Sequence, residues 1–463
     1  MNRWRLRILS PVHIGSGELI DAADTLRFRD RLGILDPRGA MQLLLARARE
    51  PADRSKVVAM FRNERISIAE ALSRFDVPPD DVLAGRAVRY VLDLEDGCAD
   101  LPLAHRITIH EATKRAAREP YIPGTSVKGV VRTSILWDFV RRSTLGTAPP
   151  GYEDLASRAS TYLRFVLSAR RLVRALTRAR NQVPRSLPEL IAWVESPSFA
   201  RRYGYRVDRR HAGLISDLLR LEKNQRAASF DEALALALDD FASWGPSRIG
   251  ADLAAFVFGP TPSEDALRAL VVTDSFEETG SRWALYPTRV FATDLPGGRI
   301  IEKSAVPEFF ECLPPGLEAV IEVGSILEEE VYNSRIRRLW IETNRWGERR
   351  SLLTDIPAAC RARSRRQVEL EYERAKTAFP GTEYLEFHRD LLALSKSEGD
   401  AFLLRLGGRN GWDMNTVTAL LEPDVLESLR GRFRLGNMER EVDKNGREYL
   451  RPFGIFPKTK QIV

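Results

Sequence analysis

The sequence predicts an α+β fold: an RRM-like (ferredoxin-like) core carrying large helical insertions. Three observations lead there. Residues Arg3 to Leu9 alternate, with Trp4, Leu6 and Ile8 on one side and Arg3, Arg5 and Arg7 on the other. That is the period of a half-buried strand with a basic open face. Residues Pro120 to Arg132 read PYIPGTSVKGVVR, an extended segment broken at Pro123–Gly124 and followed by apolar residues at helical spacing. A long arginine-rich helical stretch then precedes a second run of strands. Strands and helices that alternate and then segregate in this way suit an α+β core with insertions.

In chain order, the first strand runs into SPVHIGSGE, a loop in which Gly15 and Gly17 flank Ser16 just after His13. Thr25–Phe28 and Gly33–Leu35 are short strands around a turn, and Arg38–Arg49 and Ala52–Arg62 are helices. Ala87–Leu94 and Arg106–His110 are strands. The first part of the core thus occupies 1–144, and a helical insertion follows over 145–250. The core resumes over 251–326 with strands at Ala254–Phe258, Leu270–Asp274, Trp283–Phe291 and Leu317–Val323. A helical segment covers 327–400, with helices at Glu328–Trp346, Leu352–Phe379 and Glu383–Leu394. The C-terminal part, 401–463, has a strand at Ala401–Leu406, the glycine-rich GGRNGW at Gly407–Trp412, a helix at Asn415–Leu429 and a tail. No fixed-period repeat is present, which argues against a solenoid.

The Pro120–Arg132 stretch has a local chemistry of its own. Gly124 permits the turn, Thr125 and Ser126 offer capping hydroxyls, and Val127, Val130, Val131, Ile135 and Leu136 make one apolar face. Lys128 and Arg132, four residues apart, share the other face. A helix N-terminus with two nearby cations is a seat for a phosphate. A turn that only shapes the core accounts for the same residues. The stretch is not a P-loop, because Lys128 precedes Gly129 and no G-x-x-x-x-G-K-[ST] string occurs.

Charge distribution points to a polyanion. The net charge is +7, but Leu155 to Leu187 contains no acid and eight arginines. Arg170, Arg174 and Arg178 line one helix face at four-residue spacing, either as a solvated basic face or as a nucleic-acid stripe. No run of 18 apolar residues suggests a membrane span, and the N-terminus lacks a signal-peptide core. Cys98, Cys312 and Cys360 form no CxxC pair and read as buried reduced thiols of a cytoplasmic protein.

Catalytic patterns are absent. The five histidines are too dispersed for a metal site, and His110–Glu111 fails as HExxH because position 114 is Lys114. No metal site is expected from this spacing. No G-x-S-x-G elbow occurs. Asp21 and Asp24, just past the glycine loop, are carboxylates that a basic site would bring near an RNA backbone, though loop and turn acids without chemistry are the simpler reading. The RRM signature is also missing, so base stacking on a conventional aromatic sheet face is not supported. What remains is backbone recognition by glycine loops, helix N-termini and arginines.

SPVHIGSGE, YIPGTSVKGVVRTSIL, VFGP, LVVTDS, GGRNGW and FPKTK occur in this order. Together they resemble the RAMP superfamily of CRISPR proteins, and within it the fifth-subunit family of the type III-A (Csm) effector complex. The resemblance spans the chain as islands; the helical insertion matches nothing. It implies a non-catalytic subunit, with no cofactor of its own, that caps the 3′-end side of the backbone filament in antiviral defence. The expected partners are the CRISPR guide RNA, the other Csm subunits, especially the backbone RAMP subunit, and target RNA indirectly. Carried over, His13, Gly15, Ser16 and Gly17, with Gly124, Thr125, Ser126, Lys128 and Arg132, contact the guide or support the loop that does. Gly407, Arg409 and Gly411 form the C-terminal glycine loop, where Gly408, Arg409 and Asn410 depart from the family's G-W-G-x-G-W pattern and add a cation. Backbone siblings cut target RNA with an aspartate near the position of Asp24, so an RNase is the alternative; the equivalent subunit of a Cmr-like complex is another.

Overall fold

The computed structural model describes residues 2–62, 66–95, 98, 108–116, 118–148, 151–153, 155–157, 184, 186–203, 254–255, 257–259, 261, 264–277, 282–288, 291–294, 300–302, 308–325, 350–353, 355–397, 401–407, 438–442 and 448–452. The chain divides into two compact units. One comprises Met1–Ile135, Ala266–Asn415 and Gly436–Val463; the other comprises Leu136–Asp265 and Thr416–Leu435.

The first unit opens with strands β1 (Asn2–Arg7), β2 (Gly15–Asp21), β3 (Thr25–Phe28) and β4 (Arg31–Leu35). Four helices follow: α1 (Pro37–Arg47), α2 (Pro51–Arg62), α3 (Ile68–Arg74) and α4 (Pro79–Ala84). Their starts are chemically marked. Asp36 accepts from the Gly39 N–H at 2.8 Å and Ser67 from the Glu70 N–H at 3.1 Å, with proline in the first turn of α1 and α4. Leu35, Leu44, Val57, Leu72 and Val82 bury one core between these helices and the adjoining strands. Then come β5 (Val88–Leu94), β6 (Thr108–Ala112) and the long helix α5 (Gly124–Thr144), which begins in the first unit.

The strands after the insertion are β7 (Leu270–Val272), β8 (Phe276–Glu277), β9 (Ala284–Thr288), β10 (Phe291–Asp294), β11 (Ile300–Glu302), β12 (Glu308–Cys312) and β13 (Glu318–Ser325). Helices α8 (Ile356–Ala378) and α9 (Glu383–Lys396) and strands β14 (Met438–Val442) and β15 (Glu448–Pro452) complete the unit. A seven-stranded sheet has the order β2-β6-β12-β9-β5-β4-β3, with β12–β6 and β5–β9 parallel and the other pairs antiparallel. A second sheet has the order β1-β13-β7, with β8 also paired to β13. A third has the order β11-β10-β15-β14. The other unit takes up the C-terminal part of α5 and includes helices α6 (Leu187–Val194) and α7 (Pro197–Tyr203), joined by an edge-on contact of Trp193 and Phe199 at 4.9 Å.

The α+β class with helical insertions is therefore the fold observed. Four local expectations change. Gly15 begins strand β2 and is not in a loop, because Gly15–Asp21 pairs with β6 through an irregular register. Residues 254–255 and 257–258 are helical, with the Gly259 N–H donating to the Ala255 carbonyl at 2.9 Å. Residues 401–406 form no strand. Glu308–Cys312, read in sequence as nothing regular, is a central strand of the large sheet. Among the described residues no helix is long and apolar enough to cross a membrane.

Candidate nucleic-acid interface

The N-terminal glycine stretch is fixed from below by a histidine. His13 is buried, and its Nδ1–H donates to the Glu311 carbonyl oxygen at 2.8 Å. Its ring meets Phe310 edge-on at 5.0 Å, and Phe310 in turn stacks on His110 at 4.2 Å. Gly15, Ser16 and Gly17 are exposed above it. The Ser16 hydroxyl donates to the Glu111 carbonyl at 3.2 Å and accepts from the Glu18 N–H at 3.1 Å, which ties the strand to β6. Gly17 has φ +92°, a backbone state that a side chain disfavours.

The C-terminal glycine loop arrives at the same place. Gly407 has φ +97°, and a Cβ there would sit 2.4 Å from the His13 carbonyl oxygen. Only a residue without a side chain permits this approach. The segment leading to it is anchored twice more. Phe402 meets Trp4 edge-on at 5.2 Å, and the Arg405 Nη1 donates to Glu371 Oε1 at 3.3 Å. Glu371 also accepts from the Tyr384 hydroxyl at 3.0 Å and lies 3.5 Å from His388 Nε2, so α8 and α9 set the position of the loop. Arg409 and Gly411 lie outside the described residues, as do Arg170, Arg174 and Arg178.

Strand β6 connects this pair to the Pro120–Arg132 turn. Beyond Ala112, the Thr113 N–H donates to the Ile14 carbonyl at 2.8 Å, and Lys114 bridges back to Pro120. The turn is seated on β7 and on Thr273–Ser275, which link it to β8. Ile122 and Ser275 exchange two hydrogen bonds, Ile122 N–H to Ser275 Oγ at 2.8 Å and Ser275 N–H to the Ile122 carbonyl at 3.0 Å. A Cβ on Gly124 would lie 2.3 Å from the Val272 carbonyl oxygen, so this glycine is architectural.

Two expectations about this turn are revised. The α5 N-terminus does not present its first N–H to solvent, because Gly124 donates to Asp274 Oδ1 at 2.8 Å. A carboxylate of the chain itself thus takes the role sketched for a phosphate. Lys128 does not simply face outward: its Nζ donates to the Leu270 carbonyl at 2.7 Å. Thr125 is exposed, and Ser126 and Arg132 are half-buried on the same helix.

Sequence reasoning missed the charged cluster under the site. The Glu311 carboxylate is fully buried beside an equally buried Lys114 ammonium. It also accepts from the Tyr90 hydroxyl at 2.7 Å and the Ala112 N–H at 2.8 Å. Lys114 lies 4.3 Å from the Tyr90 ring centre and 3.3 Å from Glu111. Burial pushes the Glu311 carboxyl above its ordinary value, against the pull of Lys114, Ala112 and Tyr90. Burial, then Glu311, holds the Tyr90 hydroxyl protonated. Glu311 therefore steadies β6 through its side chain and His13 through its carbonyl. The failure of HExxH at Lys114 was the one visible trace of this cluster.

Asp24 ends a short 3-10 turn, Ala22–Asp24. Burial, then the Asp21 carboxylate, raises its pKa, while Arg89 opposes. Among the described residues no group of three or more His, Cys, Asp or Glu side chains is placed to hold a metal ion.

Comparison with known proteins places this geometry in a family. One chain of a cryo-EM structure described as a Csm–crRNA–target RNA ternary complex in a type III-A CRISPR-Cas system aligns over 99% of this chain and 98% of its own, with TM-score 0.54 and 19% identity. The crystal structure of T. onnurineus Csm5 aligns over 90% of this chain and 93% of its own, with TM-score 0.47 and 18% identity. No curated protein matches the chain. At these identities the first likeness establishes the fold. The RAMP superfamily profile matches residues 5–412, which takes in the glycine strand, the turn and helix α5, and the Gly407 contact. The chain belongs to the RAMP superfamily.

Proposed function

We propose that the chain is a non-catalytic guide-RNA-binding subunit of a type III-A interference complex, capping the 3′-end side of its backbone filament. The observation that carries this reading is the seating of Gly407 on the His13 backbone, which joins two glycine segments from opposite ends of the chain beside an exposed strand. Exposed Gly15–Gly17 admits a sugar–phosphate backbone closely, and Arg132, half-buried on α5, is the cation assigned to a phosphate of the same RNA. Membership of the RAMP superfamily and alignment over nearly the whole length of a chain from a Csm–crRNA–target RNA complex support the same partners. Lys128 acts here by holding the turn to Leu270, with RNA contact left to Arg132, Ser126 and Thr125.

The test is co-expression with the other Csm subunits and a guide array, followed by measurement of guide RNA retained per complex. Arg132→Glu lowers retention and flattens its salt dependence by about one phosphate contact. Retention unchanged in Arg132→Glu and in Gly17→Glu removes this surface from RNA binding. A second reading, an RNase using Asp24, is motivated by the Asp21–Asp24 pair and the raised Asp24 carboxyl. Undiminished RNA cleavage by Asp24→Ala takes that residue out of any mechanism.

A further inference from the structure

The second sheet has an open face whose composition only the register reveals. Side chains directly opposite one another in antiparallel strands share a face. Arg5 on β1 lies opposite Val320 on β13, and Val320 lies opposite Phe276 on β8. Arg5, Val320 and Phe276 thus form one row across the sheet. Arg3 and Arg7 stand on either side of Arg5, opposite Glu322 and Glu318. The neighbouring positions Ala319, Ile321 and Val323 are buried on the other face, while Phe276 is 57% exposed.

Phe276 is also held in place. The Arg115 guanidinium donates to the Ser275 carbonyl and lies 5.7 Å from the Phe276 ring centre and 5.4 Å from that of Tyr121. The aromatic ring is therefore flanked by Arg115 on one side and the Val320–Arg5 row on the other. An aromatic surface with a cation on each side is poorly suited to an apolar protein surface, because docking there would desolvate both charges. It suits single-stranded nucleic acid, whose bases stack on aromatic rings while arginines take the phosphates. The β1 arginines are spaced by two strand residues, about 6.7 Å, a step close to that between phosphates of an extended strand. The Arg3–Glu322 pair, 3.2 Å apart with Arg3 at 79% exposure, is a surface pair that a phosphate displaces at little cost.

We propose that this face is a stacking platform for single-stranded RNA, with one base of the guide on Phe276 and adjoining phosphates on the Arg3, Arg5 and Arg7 row. The proposal deepens the guide-RNA reading and rests on it. It needs no RRM signature, since the ring comes from the kinked edge segment β7–β8 and the cations from β1.

The test uses the full chain and a short single-stranded RNA carrying 2-aminopurine, read by anisotropy and by fluorescence quenching. Phe276→Ala weakens binding roughly 5- to 150-fold and abolishes quenching, and Phe276→Trp retains both. Arg5→Glu weakens binding and lowers the salt slope by about one. Because Phe276 is exposed, Phe276→Ala melts as the wild type does. If Phe276→Ala leaves affinity and quenching intact while Arg132→Glu weakens binding, the platform is refuted and the guide-RNA reading stands. A wild-type chain that does not bind the RNA overturns both. In the assembled complex, a benzophenone amino acid replacing Phe276 crosslinks to guide RNA before target is added. Crosslinking only to target RNA, or only to protein, overturns the assignment.

Discussion

Gly407 rests against the main chain of His13, so close that a methyl group on Gly407 would fall 2.4 Å from the His13 carbonyl oxygen. Gly17 has a similar positive φ but open space around its Cβ position. The two glycines therefore separate conformational strain from contact. Gly17→Ala costs about 1 kcal/mol from backbone strain alone, and Gly407→Ala costs more, about 2–4 kcal/mol, by adding displacement of the His13 loop. Denaturant unfolding of both variants measures the difference. Equal losses would show that the contact with His13 contributes nothing.

The Lys114–Glu311 pair supports a double-mutant cycle. Lys114→Met leaves the buried Glu311 carboxylate without its counterion and costs about 3–5 kcal/mol, whereas Glu311→Gln costs less because Lys114 keeps Glu111 at 3.3 Å. The double variant recovers much of that loss, because neither charge remains. Additive losses would mean that the two groups do not act as a pair. Glu311→Gln leaves one acceptor oxygen where the Ala112 N–H and the Tyr90 hydroxyl use two, so hydrogen exchange in β6 is expected to speed up, and unchanged exchange would contradict the assigned role.

The thiols are predicted to be silent. Cys98, Cys312 and Cys360 are all buried. Burial pushes Cys98 up to about 12 and Cys360 up to about 11, and holds Cys312 well above its ordinary value. The sign is unambiguous at pH 8: each group stays in its protonated, poorly nucleophilic form. A thiol reagent therefore titrates none of them in the native protein and all three after denaturation. Rapid native labelling of any one would show that its site opens.

Asp274 is predicted to cap α5 in competition with any anion. Asp274→Ala removes the acceptor for the Gly124 N–H and costs about 0.5–2 kcal/mol, measured by thermal unfolding. Asp274→Asn keeps an acceptor and restores most of it. Guide-RNA affinity is expected to be the same in wild type and Asp274→Asn. A marked gain in the asparagine variant would bring a phosphate to this helix start after all.

Legibility followed locality. The alternation of β1 and the Pro123–Gly124 break were readable because both signals lie within a few residues. β12 was missed because EFFEC is a short run without alternation, buried at Phe309, Phe310, Glu311 and Cys312, and such a run carries no period. Residues 401–406 looked like a strand from composition, yet strand identity requires a hydrogen-bonding partner, and their anchors are Trp4 and Glu371 instead. The carbonyl contact that joins the two glycine segments left no trace in the sequence. Lys114 with Glu311, Gly124 with Asp274 and Lys128 with Leu270 were invisible because each joins residues more than a hundred positions apart.

The tie between Lys128 and the Leu270 carbonyl has a consequence for how such a chain diversifies. The polypeptide leaves the core along α5 and re-enters at β7, and the exit and the return are stapled together at 2.7 Å. Once those ends are joined, the length of chain between them matters little: doubling it costs only about 0.6 kcal/mol in closure entropy. Changes of chain length between Thr144 and Asp265, outside the unit that holds this tie, are therefore expected to leave the glycine segments in register.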